Sequence, residues 1–397
     1  MEVLLKNENL SAPHHTTVRL WVIRYGCHQL QTPLKIANDW ILIGDVTIGV
    51  GKLKCLATLG VRMSALKYRD NLTLTHKDME ILGLYPTESS TGEFVERAFE
   101  DSAKRIGGNF LAVVLDQGSD VKKGARLFQA NHPNTKILHD IAHKLSNIME
   151  HELEHDVQWF KYIQQLNFTR RQVFQTELAA LMPKKQREKG RFMDISHLVR
   201  WPERVCAARV NGNLSDIKEE RYRKYLGWIE TEFIDNLQIW GCMEKTVRMV
   251  KETIRTFGLS INVYEEIKMS LEEIDTENKR INGFIAKVLN TVWEEVEKLD
   301  ERELLICSTE IIESVFGKYK AINEGLHGIT GNILGICTFI GGTKNISEVK
   351  TAMESCSASK AAEYMKSKFG QTLSSLRRRY FPSIKRTKFD KTNVCAA

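Results

Sequence analysis

The sequence predicts an α/β fold in which a mixed sheet precedes a long, all-helical region. Strand-like apolar runs are concentrated between residues 40 and 138, where they alternate with segments of helical spacing. Between His143 and Cys307 the strand signal nearly disappears and helical periodicity dominates. With 397 residues, the chain can bury a large core and should contain more than one structural unit.

The first predicted element is an amphipathic helix over residues 12–30. Its apolar positions recur at helical spacing and leave Arg19 and Arg24 on the outer face. These apolar positions are Val18, Trp21, Val22 and Tyr25. The pattern is typical of recognition helices in helix-turn-helix domains, but too few residues precede it for a complete three-helix unit. We therefore expect residues 1–35 to form a partial helix-turn-helix-like DNA-binding segment.

Three strands are expected next. Residues 40–48 and 53–62 are rich in β-branched and apolar residues, and the Gly-Val-Gly of residues 49–51 between them is typical of a hairpin. Residues 71–75 predict a shorter third strand.

The chain then alternates between helices and strands. Residues 92–106 and 122–130 have helical spacing, whereas residues 110–115 and 135–138 read as short buried strands. The resulting order, β-β-β-α-β-α-β, is that of ribonuclease H-like folds, in which the first and fourth strands are neighbours.

Two aspartates belong to those neighbouring strands. Asp45 lies inside the first apolar run, and Asp116 follows the apolar run that ends at Leu115. An unpaired buried charge costs several kcal/mol, so carboxylates in such places usually hold a metal or a proton. Asp120 is better placed than Asp116 to cap the following helix, which leaves Asp116 available for a site.

A third acid is expected on the helical segment 308–320, where both Glu310 and Glu313 are eligible. Two strand aspartates and a helix glutamate suit a two-metal phosphoryl-transfer site, in which ions roughly 4 Å apart polarise the attacking and leaving oxygens.

Three motifs carry a resemblance to a known family. They are Val-Val-Leu-Asp-Gln-Gly-Ser-Asp at 113–120, Asp-Ile-Ala-His at 140–143 and Ser-Thr-Glu-Ile-Ile-Glu-Ser at 308–314. Together, over residues 36–345, they resemble the DDE transposases of bacterial insertion sequences, which share a Cys/Asp-x-x-His signature with the Mutator and hAT superfamilies.

The resemblance implies metal-dependent DNA strand cleavage and strand transfer at the ends of a mobile element. By this match the third acid is Glu313, so that Asp45, Asp116 and Glu313 would hold two Mg²⁺ or Mn²⁺ ions. Asp140 and His143 would shape the pocket. The partner would be double-stranded DNA, bound by a homodimer or higher oligomer.

An all-helical insertion domain accounts for the long separation of Asp116 from Glu313. The expected units are a DNA-binding segment at 1–35, a catalytic domain at 36–146, the insertion at 147–300, a closing catalytic helix at 301–345 and a helical, then basic tail at 346–397.

The net charge of +7 is unevenly distributed. Basic clusters occur at residues 170–171, 184–191, 221–224 and 377–388, and together they favour phosphate contacts with nucleic acid, although any one alone could be a solvated helix face. The candidate DNA-contacting residues are Arg19, Arg24, Lys318, Lys320, Arg377, Arg378 and Arg379.

Two other functions stay open. A decayed or domesticated copy would bind DNA without cutting it. A zinc metallopeptidase is suggested by His151-Glu152-x-x-His155, with Glu177 as a third ligand, but the acidic neighbours of these histidines favour a solvated helix face. Trp201 is a candidate for stacking on an unpaired base.

Composition limits the cellular setting. The eight cysteines contain no C-x-x-C pair, which favours reduced thiols over a zinc ribbon or disulfides. No apolar run reaches the ~20 residues that span a bilayer, and the first residues do not resemble a signal peptide. We expect a cytoplasmic, nucleoid-associated protein.

Overall fold

The structure is a computed structural model that describes residues 13–47, 54–116, 118–185, 195–274, 277–322, 331–342, 344–370 and 379–381. The predicted hairpin turn at 49–51 and the candidate DNA contacts Arg377 and Arg378 lie outside the described residues.

A mixed sheet forms the centre of the fold. Its strands in the described residues are β1 (Trp40–Thr47), β2 (Lys54–Arg62), β3 (Glu80–Thr87), β4 (Ala112–Leu115) and β5 (Lys136–His139). Their order is β3-β2-β1-β4-β5. The pairs β1/β2 and β2/β3 are antiparallel, whereas β1/β4 and β4/β5 are parallel. The prediction that the first and fourth strands are neighbours is therefore confirmed.

The third strand was predicted in the wrong place. Residues 71–75 are not a strand, because nearby side chains bind their backbone N–H groups: the Asn71 side chain accepts a hydrogen bond from the Thr73 N–H, and that of Asp78 accepts one from the Thr75 N–H. The strand lies at Glu80–Thr87, where Pro86 weakens the sequence signal. Proline is tolerated there because β3 is an edge strand.

Helices make up most of the remaining chain. Before β5 they are α1 (His15–Gln31), α2 (Met63–Leu66), α3 (Gly92–Ile106) and α4 (Ser119–Asn131). After β5 come α5 (Ile141–Glu154), α6 (Val157–Val173), α7 (Ser196–Val199), α8 (Trp201–Val210), α9 (Glu219–Leu226), α10 (Ile234–Phe257), α11 (Ile261–Glu272) and α12 (Lys279–Val296). The last are α13 (Glu310–Ile322), α14 (Ile346–Ser355) and α15 (Ala358–Phe369), and 3₁₀ turns occur at Glu177–Leu181, Gly227–Glu230 and Gly331–Phe339.

The sheet is covered on both faces. Alternate residues of β1 point to opposite sides, so Leu42 packs with Phe99 and Phe128 of α3 and α4, while Ile41 and Ile43 join the larger core formed with the later helices. This arrangement buries the strands almost completely and fixes the carboxyl ends of β1 and β4.

Between β5 and α13 the described residues form helices joined by turns and loops, and their one β feature is an isolated bridge between Leu259 and Leu305. The first two of these helices are separate elements. Helix α5 ends at Glu154, and Asp156 caps α6 by accepting hydrogen bonds from the Gln158 and Trp159 N–H groups. Within the described residues, no helix is both long and apolar enough to cross a membrane.

The N-terminal helix α1 packs on the 3₁₀ segment Gly331–Phe339 and on α14 and α15. The contact is close: a Cβ at Gly26 would lie 2.2 Å from the carbonyl oxygen of Leu334. The prediction that Arg24 lies on the outer face is wrong. Its guanidinium is partly buried and donates to the carbonyls of Met353 and Cys356, whereas Arg19 is exposed.

Candidate active site

Asp45 and Asp116 meet at the carboxyl ends of two parallel strands. The register pairs Gly44 of β1 with Leu115 of β4, which places the next residues, Asp45 and Asp116, side by side. Neighbouring strands are about 4.8 Å apart, so the two carboxylates share one corner of the sheet. Both side chains are partly buried.

The environment of Asp45 shows that several carboxylates converge. Burial and the negative charges of Asp116 and Glu313 raise the pKa of Asp45 to about 6, against a hydrogen bond from the Val46 N–H and the charge of His143. Glu313 is remote in sequence, yet its charge acts on Asp45, so α13 brings it toward the end of β1.

Asp116 lies in the turn that leads into α4. One of its carboxylate oxygens, Oδ1, accepts a hydrogen bond from the Gly118 N–H at 2.9 Å. Asp120 does not cap α4 as predicted, because the cap residue is Gly118 and Asp120 lies inside the first turn. An acidic residue there still favours the helix through the helix dipole.

His143 links Glu313 to Asp140. Its Nε2 lies 3.2 Å from Oε1 of Glu313, and its Nδ1 lies 3.4 Å from Oδ2 of Asp140, an ion-pair rather than a well-formed hydrogen-bond separation. Burial lowers the pKa of His143, but the two carboxylates outweigh it and raise the pKa to about 10. The imidazole is therefore cationic at neutral pH.

Asp140 is fully buried and fastens two helices together. Its Oδ1 accepts the His143 N–H at the start of α5, and its Oδ2 accepts both the N–H (2.6 Å) and the hydroxyl (2.5 Å) of Thr309 just before α13. Burial raises the pKa of Asp140, but His143 and Thr309 lower it by more than burial raises it. The net result is a pKa below the ordinary aspartate value. Asp140 thus fixes the position from which α13 presents Glu313.

The structure separates the two glutamates that the sequence left open. Glu313 contacts His143, whereas Oε2 of Glu310 lies 3.6 Å from Nη1 of Arg255 on α10. Glu313 therefore belongs to the carboxylate cluster, and Glu310 faces the helical region.

The predicted DNA contacts are dispersed. Lys318 lies on the exposed side of α13, with its Nζ 3.5 Å from Nδ1 of His76. Lys320, which is also exposed, follows on the same helix. Arg19 donates to the Asn332 side chain, and Arg379 is exposed. Among the candidate DNA contacts that the structure describes, only Lys318 and Lys320 share an element with a member of the carboxylate cluster.

The cluster has the donor chemistry of a Mg²⁺ or Mn²⁺ site. Carboxylate oxygens are the ligands these ions prefer, and a divalent cation would relieve the repulsion that raises the Asp45 pKa. In the described part of the chain, no three His, Cys, Asp or Glu side chains are already arranged as a complete metal site. Glu313 is engaged with His143 instead.

The H-E-x-x-H residues are not arranged as zinc ligands. His151 and His155 are exposed, with ring centroids 5.4 Å apart, and His155 lies beyond the end of α5. The carboxylate of Glu152 pairs with Lys287, and that of Glu177 pairs with Arg221 at 3.0 Å. The prediction of a solvated helix face fits this geometry.

Trp201 is not available for base stacking, contrary to the prediction. It is buried, its ring lies 5.9 Å from that of Trp228, and its indole N–H donates to the Leu181 carbonyl. Sequence reasoning also missed two residues. Thr309 anchors α13 through Asp140, and Glu295 is buried among cations. The polar pair Ser308-Thr309 was the only local signal for the first, and an isolated glutamate on a helix gave none for the second.

No protein-family model matches the chain, and no curated protein matches its sequence significantly.

Proposed function

We propose that the protein is a DDE-type transposase with a ribonuclease H-like catalytic domain and a helical insertion. The proposal rests on one observation: Asp45 and Asp116 stand on adjacent parallel strands, and Glu313 approaches them closely enough to raise the Asp45 pKa. The strand order β3-β2-β1-β4-β5 supports the same reading. Its substrate would be double-stranded DNA at the nucleoid, and the protein would bind it as a homodimer or higher oligomer.

Asp45, Asp116 and Glu313 would hold two Mg²⁺ or Mn²⁺ ions, which supply charge neutralisation at the attacking and leaving oxygens. In the first reaction, water attacks the phosphodiester at the end of the element and leaves a 3′-hydroxyl. That hydroxyl then attacks a target phosphodiester, so one bond forms as another breaks and no external energy source is needed.

The remaining residues prepare this chemistry. His143 keeps its proton at neutral pH and donates toward Glu313, which holds that carboxylate in place on the side of α13 that faces α5. Because Asp140 holds both His143 and the start of α13, it is a positioning residue. Much of the catalytic effect would come from holding the reacting groups in place.

A nicking assay on supercoiled plasmid with Mg²⁺ or Mn²⁺ tests the proposal. Glu313→Gln and Asp116→Asn keep the shape of each side chain but remove its charge, and we expect each to lower cleavage at least about a hundredfold. Glu310→Gln is the matched control, with an expected change below about fivefold.

Two results would contradict the proposal. If Glu310→Gln abolished cleavage and Glu313→Gln did not, the third acid would be misassigned. If the wild-type protein bound DNA but cut none under either ion, the protein would be a decayed or domesticated DNA-binding copy.

A further inference from the structure

Two cavities lie on either side of the Arg255–Glu310 ion pair. Both residues line both cavities, whose volumes are about 320 Å³ and 310 Å³. The first cavity lies among α5, α7 and α10, and the second runs beside α13 and residues 72–76. The ion pair therefore stands at the junction between the helical region and the helix that carries Glu313.

The second cavity begins next to the carboxylate cluster, because Ser314 lines it and follows Glu313 in the chain. Its polar lining consists mainly of groups that can contact phosphate, namely hydroxyls, the imidazole of His76 and the guanidinium of Arg255. They are Thr73, Thr75, His76, Arg255, Ser308 and Ser314. Lys318 adds a further cation, 3.5 Å from His76.

Arg255 is a cation that a ligand could recruit at low cost. In the first cavity, Arg248 is already paired with the buried Glu244 at 3.3 Å. The partner of Arg255 is different: the Glu310 side chain is 38% exposed, that of Arg255 is 48% exposed, and the pair is 3.6 Å apart. Ion pairs as exposed as this one change an equilibrium constant by only about two- to fivefold, so a phosphate can replace the carboxylate.

We propose that Arg255 clamps a phosphate of the nucleic-acid strand held beside the carboxylate cluster, and that Glu310 occupies the clamp until the phosphate displaces it. This inference rests on the proposed function. The cavities are each near the lower limit of small-ligand sites, so they suit single nucleotides of one strand rather than a duplex. Among the described residues that line them, none is Phe, Tyr or Trp, so the grip should follow the backbone without stacking on bases.

The test measures fluorescence anisotropy of a fluorescein-labelled DNA oligonucleotide, as a single strand and as a duplex, with EDTA present to prevent cleavage. The variants are Arg255→Gln, Glu310→Gln and the double variant, between about 50 and 200 mM salt. Two controls are matched. Glu252→Gln removes an acid from the first cavity, and Lys268→Gln removes a cation on α11 that is 42% exposed.

We expect Arg255→Gln to weaken single-strand binding about five- to tenfold and to lower the salt slope by about one, and Lys268→Gln to change neither. Glu310→Gln should strengthen binding about two- to fivefold, and this gain should vanish when Arg255 is also replaced. Glu252→Gln should give a smaller gain that survives the replacement of Arg255.

The double variant decides the matter. If Glu310→Gln still strengthens binding when Arg255 is replaced, the gain comes from the loss of a negative charge in general. That result would overturn the proposal that Glu310 occupies Arg255 until a phosphate displaces it. If Arg255→Gln, like Lys268→Gln, changed neither the affinity for the single strand nor the salt slope, the clamp would be overturned. The proposed function would stay intact, because metal-dependent cleavage is measured separately. A larger loss from Arg255→Gln on the duplex than on the single strand would overturn the single-strand assignment.

Discussion

The two ends of α5 carry similar residues in different settings. At its start, Asp140 is buried and His143 is held between Asp140 and Glu313. At its end, His151 and His155 are exposed and make no comparable contact with the sheet in the described structure. The first group matches a weak sequence signature and the second a well-known one. The comparison shows that a site forms where other segments of the chain place side chains in contact with a residue. The spacing of residues along one helix is not enough.

The largest expected effect on stability comes from removing Asp140. Asp140→Ala would leave the Thr309 N–H and hydroxyl and the His143 N–H without their buried acceptor, and would remove one of the two carboxylates beside the cationic His143. We expect a loss of about 3–5 kcal/mol in the free energy of unfolding, measured by urea denaturation. His151→Ala, on the same helix, should change it by less than about 0.5 kcal/mol. Equal losses would show that the two ends of α5 do not differ as described.

A second prediction concerns Glu295, which faces the same end of α5 through Lys144. Glu295 is 1% exposed, and Lys144 and Lys298 lie 2.9 and 2.6 Å from its carboxylate. Burial raises its pKa, but hydrogen bonds from His139 and Lys298 outweigh that and lower the pKa to about 2, from 4.5. The free energy of unfolding that the ionised Glu295 contributes is fully present above pH 4.5 and is lost as the pH falls toward 2. Its upper limit is about 3 kcal/mol.

Urea denaturation of the wild type and Glu295→Gln at several pH values checks this. The stability difference between them should narrow as the pH falls from 4.5 toward 2. A difference that stays constant over that range would mean that the carboxylate charge is not what Lys144 and Lys298 stabilise.

The smallest effect is expected at the exposed end of α5. His151→Gln and His155→Gln should leave plasmid cleavage and zinc content unchanged, because Glu152 and Glu177, the acids of the predicted zinc motif, are paired with Lys287 and Arg221 instead. Zinc content can be measured by atomic absorption on the purified protein. Retained zinc that is lost with either histidine would restore the peptidase alternative.

The sequence predicted those parts of the site that local patterns encode. Apolar runs located β1 and β4, and therefore placed Asp45 and Asp116 at adjacent strand ends. The order of strands and helices along the chain predicted that β1 and β4 are neighbours. The third strand was nevertheless predicted at the wrong residues, because Pro86 weakens the strand pattern of β3.

Contacts between remote segments could not be predicted in this way. Arg24 looked solvent-facing on its own helix, yet its partners are the carbonyls of Met353 and Cys356. Likewise, nothing near Glu310 shows that Arg255 lies beside it, and the choice of Glu313 needed a family resemblance until the fold brought His143 next to it. In each case the deciding partner is supplied by tertiary packing, which periodicity does not encode.

Metal binding tests the central claim most directly. Mn²⁺ can be titrated into the protein with an uncut oligonucleotide present, because phosphate oxygens complete the ligands of such ions, and free Mn²⁺ is followed by electron paramagnetic resonance. We predict binding by the wild type and by His151→Gln, and at least about tenfold weaker binding by Asp116→Asn and Glu313→Gln. Mn²⁺ affinity that is unchanged in Asp116→Asn, or lost in His151→Gln, would contradict the assignment of the metal site to Asp45, Asp116 and Glu313.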